Sequence, residues 1–290
     1  MTNASDPTAI DAIEALPPLR AVIATHDLAA KKSLGQNFLL DLNLTARIAR
    51  AAGDLAGFNV IEIGPGPGGL TRGLLYTNAK KIFAVERDDR CVAALQSLVV
   101  AANGRLELIA EDALKIDYDA LCPAPRAIVA NLPYNIATVL LLDWLEQAHL
   151  FEHFTLMFQK EVAERLTATP RTKEYGRLSV ITQWLCTVEK KLELPPSAFT
   201  PPPKVNSTVV HITPHKNRHD AFSFNTMEKL TGAAFGQRRK MLRQSLKGLN
   251  VDHMRLITEA EITETARAEE IDIAGFIRMA TVLEKLLAEK

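Results

Sequence analysis

Cysteine is scarce in this 290-residue chain: Cys91, Cys122 and Cys186 stand far apart, and no Cys-x-x-Cys pair occurs. That spacing offers no zinc site and fits a reducing cytoplasm. No uninterrupted apolar run is long enough to span a membrane. Nor does a basic segment followed by an apolar core open the chain, so a secretory leader is not expected. The formal net charge is zero, which by itself argues against nucleic acid. Its distribution argues otherwise. From Lys216 to Arg255 nine Lys/Arg accompany three Asp/Glu, and from Leu256 to Lys290 four accompany eight. One basic tract is hidden in a neutral sum, and phosphate contacts are to be sought there. Hydride-transfer chemistry also lacks its parts, because no His, Tyr–Lys or Cys arrangement suited to it is found. His149/His153 and His211/His215/His219 have four-residue spacing. Pro214 interrupts the second set, and the first reads as a solvated helix end, so no metal centre is expected.

What is present is ordinary globular material, 47% hydrophobic and 23% charged, enough for one large domain and a smaller one. The first two dozen residues carry no firm pattern, and residues 1–20 are read as a loosely held arm. Helical spacing runs from Asp41 to Ala52. Strands then alternate with helices: strands at 60–63, 81–86, 106–109, 127–130 and 154–158, helices at 70–75, 88–100, 138–147 and 159–166. Such alternation predicts a parallel sheet covered on both faces. After Gly176 the pattern shifts, through Ser179–Leu185 and Val188–Leu194 to a Pro-rich stretch and a closing strand, Val205–Ile212. From Asn225 onward only helical spacing remains. The predicted division is therefore a sheet domain over 21–215 and a small helical domain over 216–290.

Asn131-Leu132-Pro133-Tyr134 is the most informative stretch. It follows the apolar run Ala127–Ala130 and sets an amide, a fixed bend and an aromatic ring at the carboxyl end of a strand. Ligands of open α/β sheets bind at that edge. An exocyclic amino group on a planar base needs both acceptors for its N–H bonds and a ring to stack on. Alone, the tetrapeptide suits a plain strand–loop join equally well. Its company is Gly64, Gly66 and Gly69, spaced as Gly-x-Gly-x-x-Gly after the first strong strand. Glu86 ends the next strand, where an acid grips ribose hydroxyls, and Asp112 follows the third, where it accepts from an adenine amino group. Each alone is weak; in series after consecutive strands they point to a nucleoside-bearing cofactor.

Lys32-Ser33-Leu34-Gly35-Gln36-Asn37-Phe38-Leu39, Glu62-Ile63-Gly64-Pro65-Gly66, Asn131-Leu132-Pro133-Tyr134-Asn135-Ile136, Gln159-Lys160-Glu161-Val162, Pro201-Pro202-Pro203-Lys204-Val205-Asn206-Ser207 and Phe235-Gly236-Gln237-Arg238-Arg239-Lys240 occur in this order. In these motifs the chain resembles the rRNA adenine N6,N6-dimethyltransferases, most closely the bacterial enzymes of the small subunit, over nearly everything beyond Leu19. Asn206 departs from the Asp often found in the proline motif. The resemblance implies a Rossmann-like class I methyltransferase sheet with a small C-terminal helical domain, and S-adenosylmethionine as cofactor. Gly64 and Gly66 would lie against its amino-acid part, with Glu86 on the ribose, Asp112 on the adenine, and Asn37 and Leu39 closing over it. Asn131 and the Leu132 carbonyl would accept from the target amino group, and Tyr134 and Phe199 would form two aromatic walls.

Arg238, Arg239, Lys240, Arg243 and Lys247 fall on what reads as one basic helix. With Arg165, Arg171 and Lys173 they are expected to contact phosphates, which position RNA without reading its bases. The implied activity is dimethylation of two adjacent adenines in the terminal hairpin loop of 16S rRNA during small-subunit assembly, by a cytoplasmic protein, expected to be a monomer. Three rivals are a 23S rRNA methyltransferase of the macrolide-resistance type, a relative of the mitochondrial transcription factors that melts promoters, and a nicotinamide oxidoreductase.

Overall fold

The computed structural model describes residues 7–28, 36–216 and 221–289. Lys32–Gly35 of the first motif, and residues 217–220 at the expected domain boundary, lie outside the described residues. Two helices open the described chain, α1 (Pro7–Glu14) and α2 (Leu19–Thr25), ahead of a two-residue strand β1 (Phe38–Leu39) and α3 (Leu42–Arg50). There follow β2 (Asn59–Ile63), α4 (Gly69–Leu75), β3 (Lys81–Glu86), α5 (Asp89–Ala101), β4 (Leu106–Ala110), α6 (Tyr118–Leu121) and β5 (Arg126–Asn131). Next come α7 (Ala137–Glu146), β6 (His153–Gln159), α8 (Lys160–Leu166), α9 (Arg177–Leu185), β7 (Cys186–Leu194), the short β8 (Phe199–Thr200) and β9 (Ser207–Pro214). The rest is helical: α10 (Phe224–Gly236), α11 (Leu242–Ser245), α12 (His253–Glu259) and α13 (Ile273–Ala288).

A seven-stranded sheet runs β4-β3-β2-β5-β6-β9-β7, parallel from β4 to β6, with β9 antiparallel to β6. Every residue of β2 is buried, as a central parallel strand covered on both faces requires. The chain leaves β4 at one edge and re-enters beside β2 as β5, so β2 and β5 bracket the switch point where open sheets bind ligands. Local chemistry sets the helix starts. Asp41 caps α3 by accepting from the Asn43 and Leu44 amides at 2.9 and 3.3 Å, and Asp88 caps α5 through Arg90 N at 3.2 Å.

The N-terminal arm is one expectation the structure corrects: residues 7–14 and 19–25 are helical. Ala9 and Ile13, one turn apart, are buried, and Ile13 joins the core cluster containing Ile48, Leu70, Leu74 and Val60. An eight-residue helix with two apolar contacts leaves a faint periodic signal. β1, β8 and α6 are likewise too short to be read from pattern.

The chain divides into two compact units, Met1–Lys160 with Glu189–Pro214, and Glu161–Val188 with His215–Lys290. The second thus takes residues 161–188 out of the stretch read as sheet domain. Its interior explains why. Tyr175 is fully buried, donates to the Ile271 carbonyl at 2.8 Å and meets Phe235 edge-on at 6.1 Å, while Trp184 packs on Phe222 at 5.0 Å. Those aromatic anchors belong to α9 and the loop before it, and their partners lie beyond residue 220. Among the described residues no helix is long and apolar enough to cross a membrane.

Candidate functional site

One cleft in the first unit, at the carboxyl ends of β2 to β5, is lined by Asn37, Leu39, Gly64, Gly66, Glu86, Asp112, Asn131, Leu132 and Tyr134, together with Glu62 and Arg87. The structure therefore gathers all the residues expected at the cofactor and three of the four expected at the target base. Its floor is the turn after β2, where Gly64 N donates to the Val85 carbonyl at 2.9 Å. Gly66 has φ +56, and a Cβ there would lie 3.1 Å from the Phe38 ring. At Gly69 a Cβ would fall 2.3 Å from the Leu39 carbonyl oxygen. β1 is thus pressed onto the glycine turn, and its backbone has no room to retreat without losing its pairing with β8. Gly69→Ala is expected to destabilise the fold by about 1–3 kcal/mol, the usual cost of overpacking. Chemical denaturation measures this, and an unchanged midpoint would show that β1 moves freely.

Glu86 is nearly fully buried. Its Oε1 accepts from the Arg87 and Asp88 amides, both at 2.9 Å, and its Oε2 from Gly66 N at 3.1 Å. A carboxylate has about four acceptor sites, so Oε2 retains room for one further donor such as a ribose hydroxyl. Burial raises the Glu86 pKa, against the three amides that favour its charged form. Asp112 caps a 3-10 turn through Leu114 N at 3.1 Å and pairs with Arg87 Nη1 at 3.2 Å. Arg87 is a cleft residue the sequence reading missed; it directly follows Glu86, and nothing in the motif marks it.

Glu62 is the second omission. It is 1% exposed, and its Oε2 has no hydrogen-bond partner. Burial pushes its pKa up to about 8; the Thr71 hydroxyl opposes this and Glu86 adds to it. An acid inside the otherwise apolar run Val60–Ile63 was the available signal, since a buried carboxylate without a partner is costly unless something binds it.

Asn131 ends β5, and its Nδ2 donates to the Asn37 carbonyl at 3.2 Å. That contact sets which way the amide faces: the nitrogen is committed to the Asn37 carbonyl, just ahead of β1, and Oδ1 has no hydrogen bond among the described residues. Leu132 is buried beneath it. No turn or loop hydrogen bond reaches the Leu132 carbonyl among the described residues. Pro133 O accepts from the Ile136 and Ala137 amides, both at 3.1 Å, closing the bend that leads into α7. Tyr134 is half-buried, and its Oη shares a hydrogen with Ser207 Oγ at 2.5 Å. Burial raises its pKa and Ser207 lowers it.

Phe199 corrects an expectation. It is 3% exposed, pairs in register with Leu39 and belongs to the core cluster, so it is not a wall of this cleft. Its neighbour β1 needs a hydrophobic backing, and Phe199 supplies it. Asn206 donates to Glu193 Oε1 at 2.7 Å, a bond that an ionised Asp would replace with repulsion. His153 is no helix end: it starts β6, buried, with its ring 4.9 Å from that of His211 and 5.3 Å from Phe58. Among the described residues no group of three or more His, Cys, Asp or Glu is arranged for a metal ion.

In the second unit the basic tract is not one helix. α10 ends at Gly236, a turn carries Arg238 to Lys240, and α11 begins at Leu242. Gly236 and Gln237 break it, Gln237 having left helical geometry. Arg238 is committed internally, to Glu269 at 2.8 Å and the Thr172 carbonyl at 3.0 Å. Arg165 lies 3.5 Å from Glu161 in an exposed pair. Arg171 adopts φ +71 and donates its amide to the Glu269 carbonyl at 2.7 Å. Arg239, Lys240, Arg243 and Lys247 are exposed and make no ion pair among the described residues.

The sequence profile of the ribosomal RNA adenine dimethylases matches residues 28–285. Ribosomal RNA small subunit methyltransferase A of Rhodospirillum rubrum is 57% identical over 271 residues, 93% of this chain and 94% of that protein. The protein of the same name from Azorhizobium caulinodans is 56% identical over 275 residues, 93% and 94% of the two chains. Among solved structures, a dimethyladenosine transferase from Plasmodium falciparum is similar, with TM-score 0.70 and 26% identity over 82% of this chain and 94% of that one. The 23S rRNA methyltransferase ErmE gives 0.63 and 27%, over 85% and 99%. With its glycine turn, acid-lined cleft and Asn-Leu-Pro-Tyr bend, the chain belongs to the ribosomal RNA adenine dimethylase family.

Proposed function

We propose that this protein dimethylates N6 of two adjacent adenines in the 3′-terminal hairpin loop of 16S rRNA, acting as a cytoplasmic monomer on an assembling small subunit. The observation that carries this reading is the orientation of Asn131, whose amide nitrogen is held by the Asn37 carbonyl just ahead of β1 while its oxygen remains an acceptor. The cleft suits S-adenosylmethionine: the unpartnered Glu62 oxygen is matched by a cationic ligand, and Glu86 has room for a ribose hydroxyl. Asp112 would face the adenine end, and Asn37, Leu39, Gly64 and Gly66 would hold the amino-acid part. When bound, the cofactor supplies an electrophilic methyl group on a sulfonium.

Adenine N6 is a poor nucleophile because its lone pair is delocalised into the ring. Asn131 Oδ1 and the Leu132 carbonyl accept its two hydrogens and favour the localised lone pair that attacks. Fixed polar groups of this kind are worth roughly 3–4 kcal/mol each, and alignment of the reacting atoms on the order of 7–11 kcal/mol. Positioning outweighs proton abstraction, and no general base is required. Flipping the base from its stack costs a few kcal/mol. Tyr134 alone returns about 1–3 kcal/mol by stacking. With Phe199 buried, the remainder falls to phosphate contacts.

Those contacts are assigned to Arg239, Lys240, Arg243 and Lys247, with Arg165, Arg171 and Lys173 at the margin. Neutralising Arg239, Lys240 and Arg243 together is expected to flatten the salt dependence of rRNA binding by about three in log–log slope, with cofactor affinity unchanged. An unaltered slope would make these residues an ordinary solvated face. Arg238→Ala should instead lower the melting temperature, because Glu269 loses its partner. The function itself is tested by mass spectrometry of RNA after incubating the protein and labelled cofactor with undermodified small subunits, and separately with 23S rRNA. Two methyls on each of two adjacent small-subunit adenines are expected; a methylated 23S adenine alone would overturn the reading.

A further inference from the structure

The Asn-Leu-Pro-Tyr bend is pinned at both ends. Its first residue is held through the Asn131 amide to the Asn37 carbonyl ahead of β1, and its last through the Tyr134 hydroxyl to the first residue of β9. The second anchor has no place in the mechanism derived so far. We propose that Ser207 is a positioning residue for the target base: its hydroxyl holds the far end of the Tyr134 ring and so fixes where the ring on which that base stacks lies. The inference rests on the reading of Tyr134 as the stacking ring.

Ser207 is built to hold still. It is fully buried and stands in register with Gln159, the last residue of β6, so it lies at the same sheet edge as the cleft. The residue before it is fixed as well, its Asn206 carbonyl accepting from Lys160 N at 2.9 Å. Tyr134, by contrast, sits in a turn, is half-buried, and has two side-chain torsions to set. A ring attached to the chain at one end and to a rigid hydroxyl at the other has its long axis fixed in place. Detached from Ser207, the half-buried hydroxyl must find water, and the ring swings about its Cα–Cβ bond with it. Backbone pairing of β9 does not involve the Ser207 side chain, so its removal leaves the ladder in place.

Single-turnover methyl transfer to undermodified small subunits, measured for Ser207→Ala, Tyr134→Phe and the double variant, tests this. Each single change is expected to slow transfer roughly fivefold to tenfold, the size of one ordinary hydrogen bond, and the double variant no further than either alone. Cofactor affinity by calorimetry should stay within about twofold, since Ser207 makes no contact in the cleft. If Ser207→Ala slowed the Tyr134→Phe protein as much as it slows wild type, the hydroxyl would act by another route and the proposal would fail. A parallel fall in cofactor affinity would also overturn it. Should Ser207→Ala not fold, Tyr134→Phe decides alone, and a full rate there is fatal. Absence of transfer by the wild-type protein is a separate result, which overturns the function on which the inference rests.

Discussion

Asn131→Ala is expected to reduce the rate of methyl transfer to small-subunit RNA by about 10²–10³-fold, the effect of deleting one fixed group aimed at developing charge. The alanine removes the acceptor and also leaves the Asn37 carbonyl without the donor it has at 3.2 Å. Asn131→Asp separates these two losses. A carboxylate keeps an acceptor for the amino group but turns an oxygen lone pair toward the Asn37 carbonyl, so the side chain and the segment leading into β1 are driven apart. The Asp variant should therefore be impaired nearly as severely as the Ala variant, and its cofactor affinity should fall because β1 lines the cleft. Single-turnover kinetics with undermodified subunits, together with calorimetric titration of the cofactor, measure both. Full transfer by Asn131→Ala would end the account of Asn131 as the oriented acceptor. Near-normal transfer by Asn131→Asp would show that the acceptor alone matters and the bond to the Asn37 carbonyl does not.

That bond also illustrates what a sequence can and cannot disclose. The strand ends at Gly64, Glu86, Asp112 and Asn131 are legible because each follows an apolar run of strand length, and parallel topology sets such ends side by side. Their shared cleft follows from order alone. The orientation of the Asn131 amide does not, because Asn37 is 94 positions away and meets it only through the two-residue β1. Phe199 fails for the same reason. Its place beside a proline run suggests a wall, whereas its pairing with Leu39 across β1 and β8 sends it into the core. In the C-terminal unit, charge spacing finds the basic tract but not its shape. Gly236 and Gln237 end α10 within the tract, and Arg238 is diverted to Glu269 by a contact 31 positions away. Glu62 was visible as an acid in a buried strand, yet its lack of a partner is a property of the packed structure alone.

Glu62 makes the affinity for S-adenosylmethionine depend on pH. Its pKa in the folded protein is raised to about 8, from the 4.5 of an exposed glutamate, so near neutrality the folded state holds a proton that the unfolded state has lost. Stability from this group is complete below the unfolded value and declines as pH rises toward about 8. Cofactor binding runs the other way. A ligand carrying a sulfonium and an ammonium favours the ionised carboxylate, so binding expels the proton, and affinity should climb by up to about tenfold per pH unit before levelling near pH 8. Calorimetry at pH 6.5 in buffers of differing ionisation enthalpy would register nearly one proton released per cofactor bound (~1, from the same linkage). Glu62→Gln should abolish most of that release and flatten the pH profile. S-adenosylhomocysteine, without the sulfonium charge, should release fewer protons than S-adenosylmethionine. Equal release by the two ligands would mean that the sulfonium lies beyond the reach of Glu62, and an unchanged profile in Glu62→Gln would remove this carboxylate from cofactor binding altogether.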